Sequence, residues 1–262
     1  MPEQLTYQDL MKFFRQIKEN NMAFRRPLPA VSIPVGAPPT PPPNPALERQ
    51  KAIPLQIPSC VAVVGCGGVG SWLALFLALA GVPELWLFDN DTISESNLNR
   101  IPLSSKDVGR PKSTALAEAI KALRPSCTVT GLSHFTPDLA KLIELQHHAI
   151  WVACTTDTWA SRKMAYEWSK AEFISYIEAA SEGEDGSVAN SPADFASELE
   201  TQPGYASVPV WVGPCVSAAM MAAAHILHGM NVRAETLRLG WSGVTHDIEL
   251  FKPSQSHGSA RV

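Results

Sequence analysis

The chain has 262 residues, of which 45% are hydrophobic and 18% charged, and this favours one main globular domain over two. The formal net charge of -4 gives no sign of a basic surface that would bind the phosphates of a nucleic acid, so we expect no DNA partner and disfavour tRNA. No apolar stretch approaches the roughly 20 residues of a membrane span, and the N-terminus lacks the layout of a signal peptide, so we expect a cytoplasmic protein.

The N-terminal region divides into an arm and a linker. Residues 1–26 carry apolar side chains at helical spacing, which predicts an amphipathic helical arm that packs against this subunit or a partner. Residues 27–58 are rich in proline, with the run APPTPPPNP. Because proline is excluded from helix interiors and central strands, this segment is predicted to be an extended linker.

Apolar runs alternate with helical patterns in the main domain, residues 59–251. The predicted strands are 61–64, 84–88, 127–132, 149–154 and 173–179, and the predicted helices are 71–80, 112–123, 137–145 and 159–170. Strands that are apolar throughout are buried on both faces. The order therefore predicts an α/β fold, with a doubly wound, mostly parallel, Rossmann-like sheet and helices on both faces.

The C-terminal third is less regular. Residues 181–209 are acidic and rich in turn formers, which predicts a mobile crossover loop. Residues 211–230 read as a long buried helix, and residues 236–251 as two C-terminal antiparallel strands. The tail, 252–262, is predicted to be disordered.

A glycine motif follows the first predicted strand, with Gly65, Gly67, Gly68 and Gly70 at the start of a helix. Such glycines let the backbone approach a nucleotide and aim helix N-terminal amides at its phosphates. Asp89, at the end of the second strand, is placed to accept hydrogen bonds from a ribose. These features alone fit ATP or a dinucleotide equally well.

Charged residues farther along favour ATP. Arg100 and Lys112 can neutralise a triphosphate and its departing pyrophosphate, which a redox site does not require. Asp157 follows the fourth strand, where a carboxylate can hold the Mg²⁺ that accompanies ATP. Asp91 is suited either to cap the following turn or to contact the nucleotide.

The motifs GCGGVGS, FDND, SNLNR, VGRPKS and CTTD, in this order over residues 58–162, resemble those of the ThiF/MoeB family, relatives of the ubiquitin-activating enzymes. The resemblance implies a homodimeric adenylyltransferase that uses ATP and Mg²⁺ to activate the C-terminal glycine carboxylate of a ubiquitin-like or sulfur-carrier protein. It also implies that Asp157 holds Mg²⁺ and that Arg100, Lys112 and Asp157 carry the catalysis. The implied nucleotide-binding residues are Gly65, Gly67, Gly68, Gly70, Asp89, Asp91, Asn97, Arg100, Lys112 and Asp157.

The chain departs from that family in several places. It has no C-x-x-C pair, so we expect no zinc, and residues 181–214 contain no cysteine, so we expect adenylation without a thioester on this chain. Thr158 stands where the family has asparagine after the aspartate. In the family, an arginine from the partner's N-terminal segment often reaches the site. Arg25, Arg26 and Arg49 are the candidates here.

Simpler interpretations cover the other reactive residues. Cys215 and Cys154 are expected to be buried thiols rather than nucleophiles. His225 and His228 lie a helical turn apart, but no third metal ligand is evident.

Three alternative functions remain open at this stage. One is an enzyme like the tRNA threonylcarbamoyladenosine dehydratases, which would adenylate a carboxylate on a nucleoside. The others are an NAD-dependent Rossmann oxidoreductase and a non-catalytic, nucleotide-bound scaffold.

Overall fold

The computed structural model describes residues 45–134, 150–171, 174–189, 209–229, 238–242 and 248–251. The strands are β1 (Cys60–Val64), β2 (Glu84–Phe88), β3 (Thr128–Leu132), β4 (Ile150–Cys154), β5 (Ser175–Glu182), β6 (Asp185–Ala189), β7 (Arg238–Ser242) and β8 (Ile248–Phe251). The α-helices in these ranges are α1 (Gly68–Ala80), α2 (Lys112–Leu123), α3 (Trp159–Ala171) and α4 (Val212–Leu227). Short 3₁₀ helices cover Pro45–Gln50, Glu95–Asn97 and Ser105–Asp107. No helix in the described ranges has the length and apolar character needed to cross a membrane.

The strands form one eight-stranded sheet in the order β3-β2-β1-β4-β5-β6-β7-β8. β1 to β5 are parallel, and β6, β7 and β8 continue the sheet in antiparallel pairing. The predicted doubly wound, mostly parallel sheet with C-terminal antiparallel strands is thereby confirmed. The chain leaves β1 towards β2 on one side and reaches β4 on the other, which creates a switch point at the carboxyl ends of β1 and β4.

Both faces of the sheet are buried, and β1 shows how. Val61 and Val63 belong to a core that includes buried residues of α1, α2 and α4. Ala62 and Val64 point to the opposite face and share a second core with Ala165 of α3. Because alternate side chains serve two cores, every residue of the strand is apolar, which is why the sequence shows no alternation there.

Helices α1 and α4 pack against each other on the first face. The packing side of α4 is built from small residues, and Ala218, Ala219 and Ala222 have no solvent exposure. Small side chains let two helix backbones approach closely, so the start of α4 is held near the start of α1.

The predicted extent of the proline-rich linker is wrong for its last residues. The second of the chain's two compact units begins at Pro45, not at residue 59. Leu47 of the first 3₁₀ helix lies against Gly81, and Gln50 Nε2 donates a hydrogen bond to Ala80 O over 2.7 Å. These contacts lie at the end of α1 and partly cover an apolar side chain that the surrounding prolines obscure in the sequence. The earlier linker residues and the arm lie outside the described residues.

The prediction of a mobile loop from residue 181 is also wrong at its start. β5 continues to Glu182, and a two-residue turn at Gly183 and Glu184 returns the chain into β6. Gly183 has φ of 57°, which a tight hairpin turn requires and glycine adopts without strain. Residues 190–208, like the predicted helix 137–145 and the tail 252–262, lie outside the described residues.

Gly131 of β3 offers a test of the sheet–helix packing. A Cβ added there would lie 2.5 Å from Ser113 O, in the backbone of α2. Gly131→Ala should therefore lower the free energy of unfolding by about 1–3 kcal/mol through overpacking, measured by urea denaturation. Thr128→Ala, at an exposed position of the same strand, should stay within about 0.5 kcal/mol of wild type. Equal losses in the two variants would contradict this packing.

Candidate active site

The candidate site lies where the loops after β2, β1 and β4 meet. Gly65 N donates a hydrogen bond to Phe88 O over 2.8 Å, and Thr155 N donates to Val64 O over 2.7 Å. The backbone that follows three neighbouring parallel strands therefore starts from one edge of the sheet. In open α/β sheets this edge, at the switch point, is the usual ligand crevice.

The four glycines of the β1–α1 loop meet different constraints. Gly65 has φ of 99°, and a Cβ on Gly70 would collide with Gly65 O. A Cβ on Gly68 would lie 2.5 Å from Cys215 Sγ. A Cβ on Gly67 would meet no atom within 4 Å, so this glycine faces open space. Packing thus requires three of the glycines, and the fourth leaves room for a ligand to approach the backbone.

The N-terminus of α1 lies directly on this open space. Gly67 is the N-cap residue, and no side chain caps the helix there. The intrahelical bond from Ser71 N to Gly67 O, 3.1 Å long, joins the cap to the first turn. The first-turn N–H groups and the partial positive charge of the helix end favour an anion such as phosphate at this point.

Thr155 fixes the glycine loop to the end of β4. Its hydroxyl donates to Gly65 O over 2.8 Å and lies 3.3 Å from Val64 O. The same oxygen occupies the space beside Gly70 that a Cβ would need. No role was predicted for Thr155, which is part of the CTTD motif. Its position between β4 and Asp157 is the sequence feature that could have indicated one.

Asp89 joins the glycine loop to the end of β2. Its Oδ2 accepts a hydrogen bond from Cys66 N over 2.6 Å, and its Oδ1 accepts one from Asp91 N over 2.9 Å. Burial raises the pKa of the Asp89 carboxyl, while these two N–H groups and the charge of Lys112 oppose the rise. Each carboxylate oxygen has a second lone pair that could accept another hydrogen bond, and the ribose contact of Asp89 stays a prediction.

Asp91 and Lys112 lie together. Lys112 Nζ is 2.8 Å from Asp91 Oδ2, and Lys112 is only 9% exposed whereas Asp91 is exposed. The lysine charge also lowers the pKa values of Asp89 and Cys66, which burial raises, so it lies close to the glycine loop. Lys112, which is predicted to bind phosphate, is thus paired with Asp91, which is a predicted nucleotide contact.

Arg100 lies against the other side of the glycine loop. A Cβ on Gly68 would be 3.2 Å from its Cδ, and its Nη1 donates to Ser96 O over 2.7 Å and to Asn99 Oδ1 over 2.9 Å. Asn97 has a local role, because its Oδ1 accepts a hydrogen bond from Ser94 N over 3.1 Å and so caps a 3₁₀ helix. The predicted phosphate contact of Asn97 stays a prediction.

Asp157 is exposed and follows Thr155 by two residues, at the same edge of the sheet. Within the described ranges no group of three or more His, Cys, Asp or Glu residues could hold a metal ion. Magnesium is commonly bound through one or two carboxylates together with substrate phosphates, rather than in an all-protein cage. An accessible carboxylate at this edge of the sheet fits that mode of binding.

The remaining candidates take structural positions. Cys215 is 1% exposed, its Sγ lies 3.1 Å from Ser181 Oγ, and burial raises its pKa, so the expectation of a buried thiol is confirmed. Cys154 is fully buried as well. His225 is buried edge-on against Trp151, whereas His228 is exposed, so the two histidines do not share a surface.

Among the candidate arginines, only Arg49 lies within the described residues. It is exposed on the first 3₁₀ helix, Pro45–Gln50. Arg25 and Arg26 fall outside the part of the chain that the structure describes.

Comparison with known proteins gives two kinds of likeness. The chain is 41% identical over 76 residues to the tRNA threonylcarbamoyladenosine dehydratase of Haemophilus influenzae, covering 29% of each chain. It is 38% identical over 96 residues to the molybdopterin-synthase adenylyltransferase of Salmonella typhimurium, covering 36% of this chain and 39% of that protein. The chain thus spans well under half the length of these relatives.

The fold is similar to that of E. coli MccB, crystallised with AMPCPP and selenomethionine-labelled MccA. The TM-score is 0.59 at 19% identity, with 74% of this chain and 63% of MccB covered. A profile of the ThiF family matches residues 57–200, more than half of the chain and the segment that holds the glycine loop, Asp89, Arg100, Lys112 and Asp157. The chain belongs to the ThiF family.

Proposed function

We propose that this chain is an ATP-dependent adenylyltransferase that activates the C-terminal glycine carboxylate of a ubiquitin-like or sulfur-carrier protein. The observation that carries the proposal is the open Gly67 at the uncapped start of α1, flanked by Arg100 and close to Lys112. Helix-end amides and two cations around one space suit a polyphosphate. Names among the relatives support the class, since one is a molybdopterin-synthase adenylyltransferase.

The reaction needs positioning and charge stabilisation more than acid or base catalysis. A carboxylate oxygen of the acceptor attacks the α-phosphorus of ATP, the bond to the β-phosphate oxygen breaks, and pyrophosphate leaves with its electron pair. Arg100 and Lys112 would stabilise the charge on the leaving group, for which Lys112 must exchange its partner Asp91 for phosphate. Asp157 would hold Mg²⁺, which when bound supplies further neutralisation of the phosphates.

We further propose that the protein adenylates without forming its own thioester, assembles as a homodimer and works in the cytoplasm. Residues 181–214 contain no cysteine and Cys215 is buried, which supports adenylation without a thioester on this chain. Trp211 at the start of α4 and Met220 within it are 44% and 56% exposed, and a homodimer, which the family resemblance implies, would be one way to cover such apolar side chains. All five cysteines are free, as expected in the reducing cytoplasm.

A second function is favoured by a specific observation. The Haemophilus influenzae relative is named as a tRNA threonylcarbamoyladenosine dehydratase, and its identity to this chain is at least as high as that of the molybdopterin-synthase enzyme. In this alternative the same adenylation chemistry acts on a carboxylate carried by a tRNA nucleoside. The acidic net charge of -4 counts against a tRNA partner, and the expected exclusion of tRNA stays a prediction to be tested.

The two acceptors can be compared directly by ATP–pyrophosphate exchange. A small ubiquitin-like protein ending in Gly-Gly should support exchange, and tRNA carrying threonylcarbamoyladenosine should not. Exchange with the tRNA alone would replace the first proposal by the second. ATP binding without exchange for either acceptor, or binding of NADH in place of ATP, would oppose both.

The glycines provide a matched pair of variants. Gly67→Ala should leave the melting temperature unchanged, because the added methyl meets no atom, but should weaken ATP binding roughly tenfold, or about 1.4 kcal/mol, by isothermal titration. Gly70→Ala should instead lower the free energy of unfolding by about 1–3 kcal/mol, because its methyl collides with Gly65 O. If Gly67→Ala bound ATP with wild-type affinity, the open space beside Gly67 would not be part of the nucleotide site.

Asp157 can be tested without disturbing the fold, because its side chain is exposed. Asp157→Asn should reduce pyrophosphate exchange by about 10²–10³-fold, through loss of charge stabilisation of the leaving group, with an unchanged melting temperature. Asp185→Asn, at an exposed carboxylate on β6, is the control and should exchange at the wild-type rate. Comparable rates in the two variants would exclude Asp157 from the mechanism.

A further inference from the structure

Beneath the loop that carries Asp157 lies a cluster of buried polar groups on the α3 face of the sheet. Arg162 of α3 is 8% exposed and Glu178 of β5 is 3% exposed. Tyr176 OH donates a hydrogen bond to Glu178 Oε2 over 3.1 Å. Burying the charges of Arg162 and Glu178 costs several kcal/mol for each ion before compensation. Two apolar side chains would be easier to bury at these positions.

The two charges belong to one cluster. Burial raises the pKa of both the Cys154 thiol and the Tyr176 hydroxyl, and on each group Glu178 adds to the rise while Arg162 opposes it. Arg162 and Glu178 therefore act with opposite signs on the same two neighbours, both of which belong to the second core. Opposite charges around shared neighbours offset part of the cost of burying each other.

Arg162 also binds the backbone on both sides of Asp157. Its Nε donates to Thr156 O over 2.7 Å, and its backbone N donates to Thr158 O over 3.2 Å. The Thr156 carbonyl belongs to the peptide plane that contains the nitrogen of Asp157. Fixing that plane therefore fixes the position of the Asp157 Cα, from which the side chain leaves the backbone.

The opposite end of the same loop is held by Thr155, whose hydroxyl donates to Gly65 O over 2.8 Å. Between these two anchors Asp157 and Thr158 are exposed to solvent. An exposed carboxylate on an unsupported loop would sample many directions, whereas here both flanking segments are tied to buried structure.

We infer that Arg162, in the buried cluster with Glu178 and Tyr176, is a positioning residue that aims the Asp157 carboxylate at the metal and phosphates of the nucleotide. The inference rests on the proposed function, since it assumes ATP and Mg²⁺ at the crevice. It assigns to Arg162 no contact with substrate. The directional Nε donor, which a lysine lacks, is the part of Arg162 that does the positioning.

The test measures ATP affinity by isothermal titration with and without Mg²⁺, which needs no acceptor. In wild type Mg²⁺ should strengthen ATP binding, and Asp157→Asn should abolish that gain. Arg162→Lys keeps the buried charge and loses the Nε donor, so it should weaken the apparent Mg²⁺ affinity by about 10–100-fold while leaving metal-free ATP binding unchanged. A residue that only maintains the fold would move both affinities together.

Two controls complete the design. Lys163→Gln, at an exposed neighbour on α3, should bind as wild type does. Arg162→Lys added to Asp157→Asn should change nothing further, because the carboxylate that it positions is already gone. If Arg162→Lys does not fold, Tyr176→Phe takes its place; it removes one hydrogen bond from Glu178 and should lower Mg²⁺ affinity in the same direction, by less than about tenfold.

The outcomes separate the two claims. A wild-type protein that binds no ATP overturns the proposed function, and the inference with it. A wild type that responds to Mg²⁺ through Asp157, together with an Arg162→Lys variant or its Tyr176→Phe substitute that responds equally, overturns the inference alone.

Discussion

Three stretches of backbone come together at the base of the crevice, and this close approach constrains the rest of the site. Gly70 at the start of α1 leaves no room for a side chain beside Gly65 O, and the Thr155 hydroxyl donates to that same oxygen. The contact ties the end of β1, the start of α1 and the end of β4 to one another. Because those three points are fixed, the first-turn amides of α1, Asp89 and Asp157 lie at the same edge of the sheet.

The charges around this base are paired with other groups of the protein. Lys112 is bound to Asp91, and the guanidinium of Arg100 is bound to Ser96 O and Asn99. Such pairing keeps a mostly buried lysine compensated, which an isolated buried ammonium would not be. In the proposed function phosphate binding would be an exchange of partners, so the net gain from each cation would be smaller than the raw attraction between opposite charges.

The segment that matches the ThiF family covers part of the chain. The matched residues 57–200 contain the glycine loop and each of the proposed cationic and acidic groups, whereas α4 and the last two strands lie beyond them. Relatives whose names refer to tRNA and to molybdopterin synthase are both similar to this chain. If the proposed function holds, we expect the choice of acceptor to depend on segments outside the matched residues.

The sequence by itself determined the order of strands and helices and the place of the crevice. β2 and α2 have the predicted bounds, because doubly buried strands and amphipathic helices are local patterns. The hairpin at Gly183 and the contacts of Leu47 escaped prediction, because acidic and proline-rich composition hid them. Only the tertiary structure decided that Thr155 holds Gly65, that Lys112 pairs with Asp91 and that Arg162 supports Asp157. Thr155 and Gly65 are 90 residues apart, and a hydrogen bond between distant residues depends on how the strands are brought together, which no local pattern encodes.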